Sequence, residues 1–330
     1  MREAASDVWM YGEPENHDLK QALALQHGVA PENVVVGEGI DALLGYLVRL
    51  LVTEGTPVVT SLGAYPTFNF HVAAMGGQLE AVPFRDDRED TEALISRAAE
   101  VDAPLIYLSN PDNPMGSWHD ASTVQAMIDA VPPGALLCLD EAYVEFAPEG
   151  TAPPIDVAEG GSGENVIRMR TFSKAYGMAG ARVGYAICCA PLATAFDKIR
   201  NHFGLSRVSQ AGALAALEDE AWLREVVGLV AQGRERIAGI ARRNGLTPLP
   251  SATNFVTIDC SGEGRGDGFA AALLAALNDR DIFVRMPAVA PQSRCIRIGV
   301  GREDEMAVFE RALPLAMEAA AAATEAPPRL

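Results

Sequence analysis

Short apolar runs rich in β-branched residues alternate with helical patterns along the first two-thirds of the 330 residues. The strand candidates are residues 34–36, 58–60, 78–82, 105–108, 136–139, 166–170 and 183–187. Helical patterns at 19–27, 41–53, 66–75, 91–99 and 121–130 lie between them. Alternation of this kind predicts an α/β fold, a mostly parallel sheet covered by helices. From residue 191 the pattern changes. Helical segments at 191–201, 210–217 and 222–244 precede a strand at 254–259, a helix at 269–279, short strands at 283–285 and 295–300, and a helix at 303–323. This second pattern predicts a smaller α+β C-terminal domain. The expected division is a segment at 1–11, a large domain at 12–222 and a small domain at 223–330. Residues 319–330, Ala-rich and then Pro-rich, are expected to fray.

Charge narrows the partners. The formal net charge is −18, and an acidic surface repels phosphate backbones, which argues against nucleic acid. The longest apolar stretch, 43–52, is interrupted by Arg49 and is too short to span a bilayer, so no membrane is expected. The start of the chain lacks the apolar run of a signal peptide, and a cytoplasmic protein is expected. Five cysteines without CxxC spacing fit free thiols in a reducing compartment. The five histidines form no HxxxH or HExxH pair, so no metal site is expected.

Four clusters at predicted strand ends, where α/β proteins bind ligands, carry chemistry. After strand 166–170 come Thr171, Phe172, Ser173 and Lys174. A lysine at a sheet edge can form an imine with an aldehyde and then act as a mobile base. Eight residues on stands Arg182, whose guanidinium can meet a phosphate together with Thr171 and Ser173. After strand 136–139 come Asp140, Glu141, Ala142 and Tyr143. A carboxylate here can keep a pyridine nitrogen protonated; such a pair also serves as a metal ligand or helix cap. Asn113, in the Asn/Pro/Gly-rich stretch 110–116, can share a ring oxygen with the Tyr143 hydroxyl, or the stretch is simply a turn. Gly39, Ile40 and Asp41 lead from a strand into a helix, where backbone N–H groups can cradle a phosphate. An imine-forming lysine, a ring-nitrogen acid, a phosphate anchor and a mobile base are the parts a pyridoxal 5'-phosphate (PLP) enzyme of aminotransferase type requires.

In order and spacing the set resembles the fold-type-I PLP aminotransferases, and within them the histidinol-phosphate aminotransferase branch. The resemblance runs from about Tyr11 to Arg297. It implies that Tyr65 stacks on the pyridine face and that Tyr11 reaches the cofactor phosphate of a neighbouring subunit in a homodimer. It assigns Arg297 to the anionic group of the substrate and Arg285 to a second anion contact, although a surface arginine is an equally good reading of Arg285. Arg297 could also be a structural ion-pair partner. The implied activity passes an amino group between glutamate or 2-oxoglutarate and an amino substrate with an anionic group, histidinol phosphate first, in histidine biosynthesis. An aromatic aminotransferase and a decarboxylase of a phosphorylated amino acid share the scaffold, and a PLP-fold binding protein is the non-enzymatic alternative. Two departures stand out. The segment before Tyr11 is shorter than the family usually has, and Met115 stands where the family usually has Thr.

Overall fold

The computed structural model describes residues 1–158, 160–262, 265, 266 and 268–325. The strands are β1 (Val34–Gly37), β2 (Pro57–Ser61), β3 (Gln78–Val82), β4 (Leu105–Ser109), β5 (Leu136–Asp140), β6 (Val166–Thr171), β7 (Gly184–Ile187), β8 (Thr247–Pro248), β9 (Phe255–Asp259) and β10 (Cys295–Gly299). The α-helices are α1 (His17–His27), α2 (Ile40–Leu51), α3 (Pro66–Ala74), α4 (Thr91–Glu100), α5 (Ala121–Asp129), α6 (Ala190–Asp197), α7 (Arg207–Glu218), α8 (Glu220–Arg243), α9 (Phe269–Asn278) and α10 (Glu303–Glu325).

The first seven strands form one sheet in the order β1-β7-β6-β5-β4-β2-β3. All pairs are parallel except those of β7, which runs against both β1 and β6. Period-2 alternation sends successive residues to opposite faces. On β4, Leu105 and Tyr107 join one core with Leu43, Leu44 and Leu47 of α2 and Phe68 of α3. Ile106 and Leu108 join another with Leu94 of α4 and Val124 of α5. Because both faces are covered, the inner strands read as continuous apolar runs. Local signals set several helix starts. Asp90 accepts from the Ala93 N–H at 3.1 Å, and Asp120 from Thr123 at 2.8 Å. Ser206 caps α7 through the Ser209 N–H, and α1 stops at Gly28 in the left-handed region.

The second sheet has the order β10-β9-β8, all antiparallel, packed with α9 and α10. The expected strand at 283–285 is not formed. Arg285 makes a single two-bond bridge to Arg297, with N···O distances of 3.1 and 2.7 Å. Beyond it Pro287 has no N–H to donate, so the ladder does not extend past Arg285 on that side. Helix α10 runs on through the Ala-rich segment from residue 319 to Glu325, with Ala320 fully buried. Residues 326–330 lie outside the described residues. Helix α8 serves both halves. Leu223, Val226, Val227 and Val230 pack on the large-sheet core, while Ile237, Ile240 and Ala241 belong to the second. Among the described residues no helix is long and apolar enough to cross a membrane, and the five cysteines are buried and free.

Candidate active site

Parallel strands end together, and the segments leaving their carboxyl ends converge. One cavity is lined by Ile40 and Asp41 after β1, Tyr65 after β2, and Ser109 and Asn113 at the end of β4. Asp140, Ala142 and Tyr143 line it from β5, and Thr171, Ser173, Lys174, Ala179 and Arg182 from the link between β6 and β7.

Asp140 is the last residue of β5 and is buried. Its Oδ2 accepts from the Tyr107 hydroxyl at 2.8 Å and its Oδ1 from the Ala142 N–H at 3.0 Å. Burial raises its pKa, against the Tyr107 bond, the Ala142 N–H and the charge of Lys174. Glu141 turns the other way. Its Oε1 accepts from Arg168 at 2.5 and 3.1 Å and its Oε2 from Arg170 at 2.8 Å. Burial alone would raise the Glu141 pKa, but the Arg170 and Arg168 guanidiniums hold it below the usual range. The adjacent carboxylates are thus divided, one facing the cavity and one tying β5 to β6.

The Lys174 ammonium lies 5.1 Å from the centre of the Tyr143 ring. Burial lowers its pKa, opposed by Tyr65 and Asp140. Arg182 sits at a positive φ of 52°, and its Nη1 donates to Ser173 Oγ at 3.4 Å and to the Ala179 carbonyl at 3.1 Å. Gly39 has φ +89°, and a Cβ there would run into Arg182 Nη2. A glycine is therefore required where the start of α2 faces the guanidinium. The Ser173 N–H donates to Thr171 Oγ1 at 3.0 Å, folding the turn that carries Lys174.

Arg297, on β10, donates to Asn113 Oδ1 and lies 4.6 Å from the centre of the Phe255 ring. Among the described residues it makes no ion pair. Burial lowers its pKa, with Tyr143 opposing. Arg285 neighbours it across the bridge but lies over the exposed Phe283 ring, 4.7 Å from its centre, and does not line the cavity. Tyr11 is 78% exposed, packs on Phe203 with ring centres 4.9 Å apart, and is also outside the lining. Met115, in place of Thr, is buried, and its N–H donates to Asp112 Oδ2 at 2.8 Å. Burial pushes Asp112 up to about 7.

Sequence reasoning missed Ser109, Ala142 and Ala179 in the lining, and Tyr107 behind it. The signal for Tyr107 was faint. It lies on the same side of an apolar strand as Ser109, but only the β4–β5 register (Tyr107 beside Cys138, Ser109 beside Asp140) brings its phenol to the carboxylate.

A family model described as aminotransferase class I and II matches residues 2–313. A histidinol-phosphate aminotransferase 2 of Carboxydothermus hydrogenoformans is 31% identical over 96% of this chain and 86% of its own length. A histidinol-phosphate aminotransferase of an Anaeromyxobacter species is 34% identical over 92% and 82%. The crystal structure of histidinol-phosphate aminotransferase from Sinorhizobium meliloti, in complex with pyridoxal-5'-phosphate, is 54% identical, with a TM-score of 0.92 over 96% of this chain and 85% of that one.

Proposed function

From the premise that the chain belongs to the aminotransferase class I and II family, we propose that it is a PLP-dependent aminotransferase passing an amino group between glutamate or 2-oxoglutarate and histidinol phosphate. The observation that carries this is the meeting of Lys174, Asp140, Asn113, Tyr143, Ser173 and Arg182 in one cavity. The residues present fit the cofactor. The start of α2, the Ser173 hydroxyl and Arg182 form a donor set suited to a phosphate dianion, next to a position that only a glycine leaves open. Asp140, with each oxygen already accepting one bond, is a carboxylate prepared for a cationic N–H.

When bound, PLP supplies an aldehyde that reacts with amines and a pyridinium ring that draws electron density from the substrate Cα. In this reading Asp140 holds the positive charge on the ring nitrogen. Asn113 and Tyr143 would hold the ring oxygen, and Tyr65 would cover the ring face. Lys174 Nζ would hold the cofactor through its aldehyde, and as a free amine it would take and return the Cα proton of the substrate. Burial favours the neutral amine that this work requires. Arg297 would hold a substrate carboxylate or phosphate with its planar fork; among the described residues it makes no ion pair, donating to Asn113 and lying over the Phe255 ring.

The test is turnover of the PLP-loaded protein with 2-oxoglutarate as acceptor and histidinol phosphate or phenylalanine as donor, with the glutamate half-reaction followed separately by the cofactor's absorbance. Histidinol phosphate is expected to be preferred, and Arg297→Lys to raise KM for glutamate and histidinol phosphate together. A preference for phenylalanine, or no turnover of histidinol phosphate, would overturn the substrate assignment.

A further inference from the structure

We propose that Tyr107 is a positioning residue that orients the Asp140 carboxylate and holds it ionised, and so governs how firmly the site keeps positive charge on the cofactor ring. This rests on the reading of Asp140 as the ring-nitrogen partner. Tyr107 lies in the middle of β4 and is fully buried. Its ring is nearly parallel to that of Phe68 of α3, with centres 4.5 Å apart and planes inclined by 14°. Phe68 itself is fully buried and lies three residues beyond Tyr65, which lines the cavity. The stack leaves the phenol little freedom to turn away. Its hydroxyl donates to Asp140 Oδ2 at 2.8 Å, its one hydrogen-bond partner among the described residues.

A phenylalanine would pack as well at this position, so the hydroxyl is explained by the carboxylate it meets. A donor on Oδ2 and the Ala142 N–H on Oδ1 fix the plane of the carboxylate. They also favour its charged form over its neutral one. The setting makes that support necessary. Lys174 is the cation facing Asp140, while Glu141 and Glu89 are acidic and Cys138 and Tyr143 are buried groups whose ionisation it opposes. Without Tyr107, Asp140 would be the more basic group. It would draw the shared proton toward itself and leave less positive charge on its partner. Lys174, joined to the cofactor, would then keep its proton to higher pH.

Tyr107→Phe keeps the stack and removes only the O–H. In that variant the affinity of the apoprotein for PLP is expected to fall about tenfold, the scale of a lost hydrogen bond to a charged group. The pH midpoint of the bound cofactor's absorbance change should rise by about one unit. kcat should fall while KM for glutamate stays near that of the unsubstituted protein. In an Asp140→Ala background the same substitution should alter neither affinity nor midpoint, because its effect passes through the carboxylate. If Tyr107→Phe leaves affinity and midpoint unchanged while Asp140→Ala alters both, the tyrosine has no such role. An equal effect with and without Asp140 would also overturn the proposal. If Asp140→Ala itself leaves both unchanged, the failure lies in the reading of Asp140, and the proposal falls with it.

Discussion

At the scale of single residues, Lys174, proposed above as the imine-forming amine, has surroundings that make a definite statement about pH. Burial depresses its ammonium below the ordinary value of 10.5. The neutral, nucleophilic amine is therefore present at lower pH than on a free lysine. The rate at which apoprotein captures PLP should rise with pH and level off below pH 10.5. A plateau at or above that pH would mean the amine is not desolvated in solution. Lys174→Ala should still bind PLP through the phosphate donors, yet borohydride should fix no cofactor to the protein; covalent labelling at another lysine would move the role there. That Lys174 and Arg182 share one cavity was readable because they stand eight positions apart after a strand. Arg297 was readable as an isolated charge in an apolar strand, where an unpaired cation is costly. Tyr107 was not readable, because a tyrosine in an apolar run is indistinguishable from core until the neighbouring strand's register is known.

At the scale of elements, the ends of β5 and β6 are fastened by Glu141 between Arg168 and Arg170. Arg168 also donates to the Pro153 carbonyl at 2.8 Å, bringing in the loop before β6. Removing the shared carboxylate would leave two buried guanidiniums without their partner. Glu141→Ala should cost about 3–5 kcal/mol of apoprotein stability in urea unfolding. A loss under about 1 kcal/mol would mean that water or the backbone already satisfies those arginines. Helix and strand positions were largely legible, since period-2 runs and Asp or Ser caps mark them locally. The strand at 283–285 failed because strand formation depends on a partner outside the segment, and of these residues only Arg285 finds one, at Arg297. The role of Glu141 was equally hidden, since the sequence shows two adjacent acids and not which way each turns.

At the scale of the whole molecule, the N-terminal segment carries apolar groups on its surface. Val8, Trp9 and Tyr11 are 66%, 79% and 78% exposed, an unusual run of surface apolar groups. We propose that they meet a second copy of the chain and that Tyr11 serves the partner's phosphate site. Mixing Tyr11→Phe chains with Lys174→Ala chains would give mixed dimers with one site carrying both residues. Activity above the sum of the parents is expected, and activity equal to that sum after confirmed subunit exchange would argue against a shared site. The acidic balance of the chain was plain from the sequence. That its cavity nevertheless gathers Lys174 and Arg182, with Arg297 bonded from outside the lining to Asn113, depended on strands that are remote in sequence.

Helix α8 gives the molecule a property that neither sheet has alone. Where it passes from one core to the other, Gly233 comes so close to Val300 that a Cβ would collide with it. One residue later, Arg234 Nη1 donates at 3.1 Å to both the Phe146 carbonyl, beside the large sheet, and the Thr253 carbonyl, beside the small one. Neither core can melt without unravelling a helix that the other still holds, so the two should lose structure in one cooperative event. Calorimetry of the apoprotein should then give a single endotherm whose calorimetric and van 't Hoff enthalpies agree. Two resolved endotherms would mean that the helix divides near Gly233 and that each half melts with its own sheet.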